Sequence, residues 1–359
     1  MKTNHDIKLG VSLYCYQDNY YFHKYDLEGC LAAAAGSGAE GFEIFPDAMI
    51  PEWPYISDAF VDRFNGLKER YGLKCVCVDH FSDTRMWKNK NLTDDDLYER
   101  GVMYIKAAAK LGAPAIRLMH DEHMGVFDQD SPMKRDYHLT NVAIAKRLLP
   151  VAAEYNVMMA LECHAPSSVD DPCQRPYLEM AEQMGLPFIG LQADFSTYAY
   201  CISSADVGMY IRQGATPKIL NFIRDSQRDA YFKGEAFDYD GMKEKIDKMG
   251  PNEVDKKAWD FIYSLRCHQP VQALYESLKE YASKLVYVHG KFYDIDDNGQ
   301  VDNMDYPKIF KILADGGYKG YISSEFEGNR LMNDAGWVDE IEYVRKHQAL
   351  MRKCLGYEK

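Results

Sequence analysis

Basic residues are in short supply in this chain of 359 residues: 42 lysines and arginines stand against 55 aspartates and glutamates, a formal net charge of −13. Nucleic acids and anionic membranes both select a basic footprint, so neither is the expected partner, and a small neutral substrate fits better. Long apolar runs are also lacking. None approaches the ~20 residues of a membrane span, and Met1 to Lys8 is polar, without the apolar core of a secretory leader. The expected setting is soluble and cytoplasmic. CxxC pairs are absent too: the nine cysteines are scattered and mostly sit in apolar contexts. That pattern reads as reduced, buried thiols and excludes a disulfide framework or a thiolate metal site.

What the chain does have is 47% hydrophobic and 27% charged residues, enough to bury a sizeable core. Its most informative stretch is Val157 to Pro166, VMMALECHAP, an apolar run that stops at a carboxylate and an imidazole. On a strand, alternation places Glu162 and His164 on one face. Three later runs end in the same manner: IGLQADFS in Asp194, LVYVHGKF in His289 and GYISSEFEG in Glu325 and Glu327. Any one of these alone reads as a polar residue closing a strand. Together, three carboxylates and an imidazole form a mixed oxygen and nitrogen set suited to one divalent ion, Mn²⁺ by preference, with Mg²⁺, Co²⁺ or Zn²⁺ as alternatives.

Strand and helix patterns alternate along the chain. Leu9–Tyr16, Gly41–Phe45, Leu73–Phe81, Ala115–Asp121, Val157–His164, Ile189–Ser196, Leu285–Phe292 and Tyr321–Glu327 read as strands. Between the first six lie helical patterns at Asp26–Ala39, Ser57–Tyr71 with Ser57 as cap, Asp94–Leu111, Leu139–Tyr155 and Asp170–Met184. Eight such units predict an α/β fold, a single-domain (β/α)₈ TIM barrel whose site lies at the C-terminal strand ends, where all four candidate ligands fall. A barrel needs about 250 residues. The surplus lies mainly between Thr197 and Ser283, where 218–232 and 258–282 carry apolar residues at helical spacing. This predicts a helical insertion (197–283) between strands six and seven, acting as a lid or a subunit-docking surface.

With Glu162, Asp194, His289 and Glu325 ending strands five to eight, and with YVHGK and GGYKGYISSEFEG around the last two, the chain resembles the xylose-isomerase-like superfamily of sugar isomerases and epimerases. The resemblance implies a divalent ion on those four side chains and chemistry that begins with loss of a proton next to a carbonyl. In ketose 3-epimerases the metal-bound glutamates at the positions of Glu162 and Glu325 move that proton. Those enzymes and the related DNA-repair endonucleases usually carry histidine three residues after the strand-six aspartate, where this chain has Thr197. That difference and the acidic charge argue against the nuclease.

The insertion and the histidine two residues beyond Glu162 make the chain most similar to the catalytic α subunit of bacterial C-glycoside deglycosidases. This resemblance implies cleavage of the carbon–carbon bond of a 3-oxo-C-glucoside by β-elimination, in a hetero-oligomer with a small β subunit. His164 is then the candidate C2 base, or else it orients Glu162. The alternatives are a ketose 3-epimerase or aldose–ketose isomerase acting on a free sugar, and a sugar-binding scaffold without catalysis. Candidate substrate contacts are Tyr14, His120, His123, Lys291 and Glu327, with Tyr16, Glu43, His80 and Arg330 as further wall residues. Asp294, Asp296, Asn298, Gly299 and Asp305 match part of a calcium-loop pattern, but a strand precedes them and the closing glutamate is missing, so a turn is expected.

Overall fold

In the computed structural model, which describes residues 6–80, 93–118, 132–266 and 270–357, the eight apolar runs form eight parallel strands. These are β1 (Lys8–Ser12), β2 (Gly41–Ile44), β3 (Lys74–His80), β4 (Ala115–Leu118), β5 (Met158–Cys163), β6 (Ile189–Asp194), β7 (Leu285–Phe292) and β8 (Tyr321–Phe326). Each pairs with its sequence neighbours, and β8 pairs with β1, closing the barrel. Helices cover the outside and side chains fill the inside, so the strands are buried on both faces and read as nearly continuous apolar runs.

The crossovers are α1 (Leu27–Gly36), α2 (Asp58–Tyr71), α3 (Asp94–Leu111), α4 (Pro132–Tyr155) and α5 (Arg175–Met184). Their ends follow local chemistry. Ser57 Oγ accepts from Phe60 N to start α2, and Thr93 and Asp96 form a reciprocal capping box at the start of α3. Gly72 and Gly112, at φ 65° and 74°, stop the same two helices in the left-handed region that glycine enters freely.

Several boundaries differ from the sequence expectation. The first strand ends at Ser12 and gives way to a 3₁₀ turn over Leu13–Tyr16. There the Cys15 thiol lies 3.1 Å from the Ser324 carbonyl and accepts from Phe326 N at 3.0 Å, drawing the chain against β8 instead of along it. Helix α5 starts at Arg175, not Asp170, because Asp170 accepts from Ser277 Oγ and Asp171 from Cys173 N, holding that stretch as a loop. Helix α4 begins at Pro132, seven residues before the expected Leu139. The calcium-like segment is a turn: Asp296 Oδ1 accepts from the backbone of Asn298 and Gln300, both at 2.8 Å.

Between β6 and β7 lie α6 (Ser204–Arg212), α7 (Pro217–Lys233), α8 (Tyr239–Lys248), α9 (Glu253–Ser264) and α10 (Val271–Tyr281). The helical spacing over 258–282 falls on two helices, α9 and α10, the second starting directly after Pro270. Helix α10 sends Leu274, Tyr275 and Leu278 into the main core, so it is the crossover that returns the chain to β7. Helices α6 to α9 gather a core of their own from Val207, Leu220, Ile223, Met242, Ile246 and Trp259. Helices α11 (Tyr306–Asp315) and α12 (Glu340–Leu355) complete the outer layer. Among the described residues, no helix is long and apolar enough to cross a membrane.

One fully buried carboxylate fastens the α6–α9 group. Asp255 accepts from Thr216 N at 2.7 Å, Thr216 Oγ1 at 2.8 Å and Asn252 N at 2.9 Å, joining the starts of α7 and α9. Asp255→Ala leaves these donors without an acceptor and is expected to cost about 2–3 kcal/mol in urea unfolding. A loss below ~0.5 kcal/mol would show that the two helix starts hold without it.

Candidate metal centre

Each candidate ligand sits at the C-terminal end of its strand and points into the barrel mouth. Glu162, Asp194, His289 and Glu325 come together there, all buried, with one donor atom from each within 4.8 Å of the others. His289 is the centre of the group. Its Nδ1 lies 2.8 Å from Glu162 Oε1, 2.9 Å from Glu325 Oε2 and 3.9 Å from Asp194 Oδ2. Its Nε2 lies 3.0 Å from both oxygens of Glu43 on β2. Nδ1 is therefore the nitrogen that faces the three carboxylates and could coordinate an ion, and an Nε2–H donated to Glu43 would fix that tautomer. Ser12 Oγ donates to Glu43 in turn, at 3.0 Å.

Two residues that sequence reasoning did not single out hold the other side. Arg117 on β4 pairs with Asp79 on β3 and with Glu162 Oε2, all three buried. The signal was present in AIRL and VCVDH, where a charge inside an apolar strand demands a partner. Which partner was not legible, because the pair spans strands. Glu43, expected only as a wall residue, holds the imidazole.

Electrostatics follow the geometry. Burial opposes charge on the His289 imidazole, yet the flanking Glu325 and Glu43 carboxylates raise it well above its usual value. Burial likewise opposes ionisation of Glu162, but the Arg117 guanidinium and then His289 hold it well below the usual carboxylate range. Asp194 is pushed up, chiefly by burial. Asp194 Oδ2 is buried without a hydrogen bond, and Glu325 Oε2 is buried with the His289 and Lys291 cations beside it. Carboxylate oxygens in that condition, facing one imidazole nitrogen, fit a divalent cation.

The remaining candidates surround this cluster. Lys291, 2% exposed, places Nζ 3.1 Å from Glu325 Oε2, 3.1 Å from Glu327 Oε2 and 3.6 Å from Asp194 Oδ2. Tyr14 donates to Glu327 Oε1 at 3.1 Å, and the Arg330 guanidinium lies 5.2 Å from the Tyr14 ring centre. Thr197 Oγ1 lies 3.0 Å from the Cys163 carbonyl and 2.9 Å from that of Ser167, tying the β6 end to the β5 loop. His80 is held by Asp47 at 3.0 Å and Trp53 at 3.2 Å, in the wall and away from the four donors. His120 and His123 lie outside the described residues.

His164 is half-buried and stands between the cluster and a cavity of 550 Å³. Glu327 and Arg330 line the same cavity, and residues of α7 and α9 close its far side. Nδ1 of His164 lies 2.8 Å from the Ala165 carbonyl. A carbonyl only accepts, so Nδ1 carries a hydrogen, and in the neutral ring Nε2 bears the lone pair.

A closed parallel barrel with a mixed carboxylate and imidazole cluster at its C-terminal mouth defines a TIM barrel of the metal-site type. Residues 31–347 match the family model described as a xylose isomerase-like TIM barrel, and the chain belongs to that family. It is 27% identical to a C-glycoside deglycosidase alpha subunit of Arthrobacter globiformis, over 97% of this chain and 92% of the relative. It is 26% identical to a 3'-dehydrocarminate deglycosidase alpha subunit of a Microbacterium species, over 97% of this chain and 95% of that one. Among solved structures, an L-ribulose 3-epimerase shares the fold at a TM-score of 0.57 and 15% identity, covering 98% of this chain and 95% of its own.

Because carboxylates flank both nitrogens of His289, the ion-free protein holds a proton there that must leave before Nδ1 can coordinate. Calorimetric titration with Mn²⁺ is expected to show affinity rising from pH 6 to pH 8, with release of about one proton per ion. Asp194→Ala should weaken binding ~100-fold or more, and Arg117→Met about 10- to 100-fold, through loss of the group that fixes Glu162. Unchanged occupancy in Asp194→Ala would dismiss the cluster as the metal centre.

Proposed function

We propose that the chain is the catalytic α subunit of a C-glycoside deglycosidase, acting on a 3-oxo-C-glucoside with the help of a small β subunit. The observation that carries this reading is His164, poised with a free Nε2 lone pair between a four-donor cluster and a cavity larger than one sugar ring fills. The alpha-subunit names of relatives aligned along nearly the whole chain support it, and so does the idea of a partner. A free ketose would leave most of the cavity unused.

Glu162, Asp194, His289 and Glu325 would hold the ion, with Mn²⁺ preferred and Mg²⁺, Co²⁺ or Zn²⁺ as alternatives. When bound, it polarises the substrate ketone and stabilises negative charge on its oxygen. His164 Nε2 takes the C2 proton. The electron pair of the C2–H bond passes to the C3 oxygen as an enolate, then returns to form C1=C2 as the bond from C1 to the aglycone carbon breaks. The leaving carbon takes up a proton, and a phenol ring eases its departure by accepting charge. Arg117 keeps Glu162 committed to the ion, and this favours His164 as the base. Glu325, paired with Lys291, is the second carboxylate placed to exchange a proton with substrate. Glu327, held by Tyr14 and Lys291, is positioned to bind sugar hydroxyls.

The test is to incubate the manganese-loaded protein with a 3-oxo-C-glucoside, with and without a β subunit, and to follow free aglycone by chromatography. Metal-dependent release is expected. His164→Ala should lower kcat about 10²- to 10⁴-fold while retaining the metal. Joint loss of metal and activity would instead give His164 an orienting role. Solvent deuterium entering a free ketose, with no aglycone released, would point to an epimerase or isomerase. Intact function in Glu162→Gln would leave a sugar-binding scaffold.

A further inference from the structure

The cavity over the barrel mouth has two unlike ends. At the barrel end its wall is polar, with His164, Ser196, Glu327 and Arg330. At the far end it is lined mainly by the rings of Tyr200, Tyr231, Phe237 and Phe261 and by Leu265, with Glu235 and Arg266 beside them, from the segment between β6 and α10. The two tyrosine hydroxyls are engaged elsewhere: Tyr200 donates to the Asp302 carbonyl at 2.9 Å and Tyr231 to Asp305 Oδ2 at 3.0 Å. What they give the cavity is ring surface. Phe261 and Leu265 are four residues apart and share a helix face. Both are half-buried, and neither packs into the core that α6 to α9 build for themselves. Apolar side chains left partly open inside a concave wall are positioned to be covered by a ligand.

We propose that this far end is an aglycone subsite: a flat apolar ring attached at C1 lies against Phe261 and Leu265 while the sugar occupies the polar end. The assignment rests on the deglycosidase reading of the barrel site and gives the α6–α9 group its task, which is to select the leaving group. A cavity of 550 Å³ is within the ~300–1,000 Å³ of sites that enclose a multi-ring ligand. The ring surface gathered at the far end matches an aromatic ring joined to the sugar.

The experiment compares the wild type with Phe261→Ala and Leu265→Ser, each as the full chain with the β subunit. One substrate is a 3-oxo-C-(4-hydroxyphenyl)glucoside, followed by phenol release. The other is a 3-oxo-C-methylglucoside, which cannot expel its methyl group and is followed by deuterium uptake at C2. Each substitution is expected to raise KM for the aryl substrate about tenfold and to leave KM for exchange in the methyl compound unchanged. Equal rises for both substrates, or no change for either, overturn the subsite. A wild type that neither releases phenol nor exchanges marks failure of the deglycosidase reading itself. In that case fluorescence titration with 2-naphthol decides the subsite. Saturable binding to the wild type that is lost in Phe261→Ala supports it, and equal binding to both proteins overturns it.

Discussion

The mouth of the barrel concentrates negative charge where water cannot dilute it. Glu43, Asp79, Glu162, Asp194 and Glu325 are buried together, opposed among the described residues by Arg117, Lys291 and His289. Buried charge is tolerated only when it is paired, hydrogen-bonded or bound to a metal. Arg117 satisfies one edge of the group by spanning β3 to β5, and Lys291 satisfies the other by spanning β6 to β8. Between them the carboxylates converge on one imidazole nitrogen, and the surplus of negative charge is left where an ion fits.

That arrangement divides labour among chemically similar residues. Glu43 and Glu162 both approach His289, but Glu43 takes the far nitrogen and so sets which nitrogen can coordinate. Of the two oxygens of Glu162, one is taken by Arg117 and the other faces the imidazole. A carboxylate fixed in this way is a rigid ligand and a reluctant base. His164, one position outward on the same strand face, has its proton placed by a carbonyl and its lone pair left open. On the proposed reading, the alternation that β5 sets up would separate ligand from base over the two residues from Glu162 to His164.

The four converging side chains, the barrel and the number of strands were legible because each depends on a pattern within one strand: an apolar run, a period of two and a terminal polar residue. Arg117, Asp79 and the importance of Glu43 were not, because their meaning lies in contacts across strands that register alone decides. Helical periodicity showed that the segment after β6 folds, but it did not mark where α9 ends and α10 begins. The pattern carries no mark of which core a helix serves: Leu274 and Leu278 enter the barrel core, whereas Trp259 and Ile262 enter the other. The start of α5 was misplaced for a related reason, since Asp170 looks like a cap until Ser277, 107 residues away, claims its carboxylate.

The separate core of α6 to α9 bears on how such a site can vary. The ligands stand on strands whose spacing is set by barrel closure, so a shift of a fraction of an ångström there is shared by neighbouring strands. The roof carries its own apolar interior and its own buried fastening at Asp255, and it is tied to the loops after β7 and β8 through the pairs Ser204 with Asp294, Arg224 with Asp302 and Arg212 with Asp334. Side chains on its inner face, such as Phe261 and Leu265, can change in size or polarity without moving the donors below. On the proposed reading, a barrel built this way would keep one proton-abstracting centre while the shape of the far wall decided which substituent reached it.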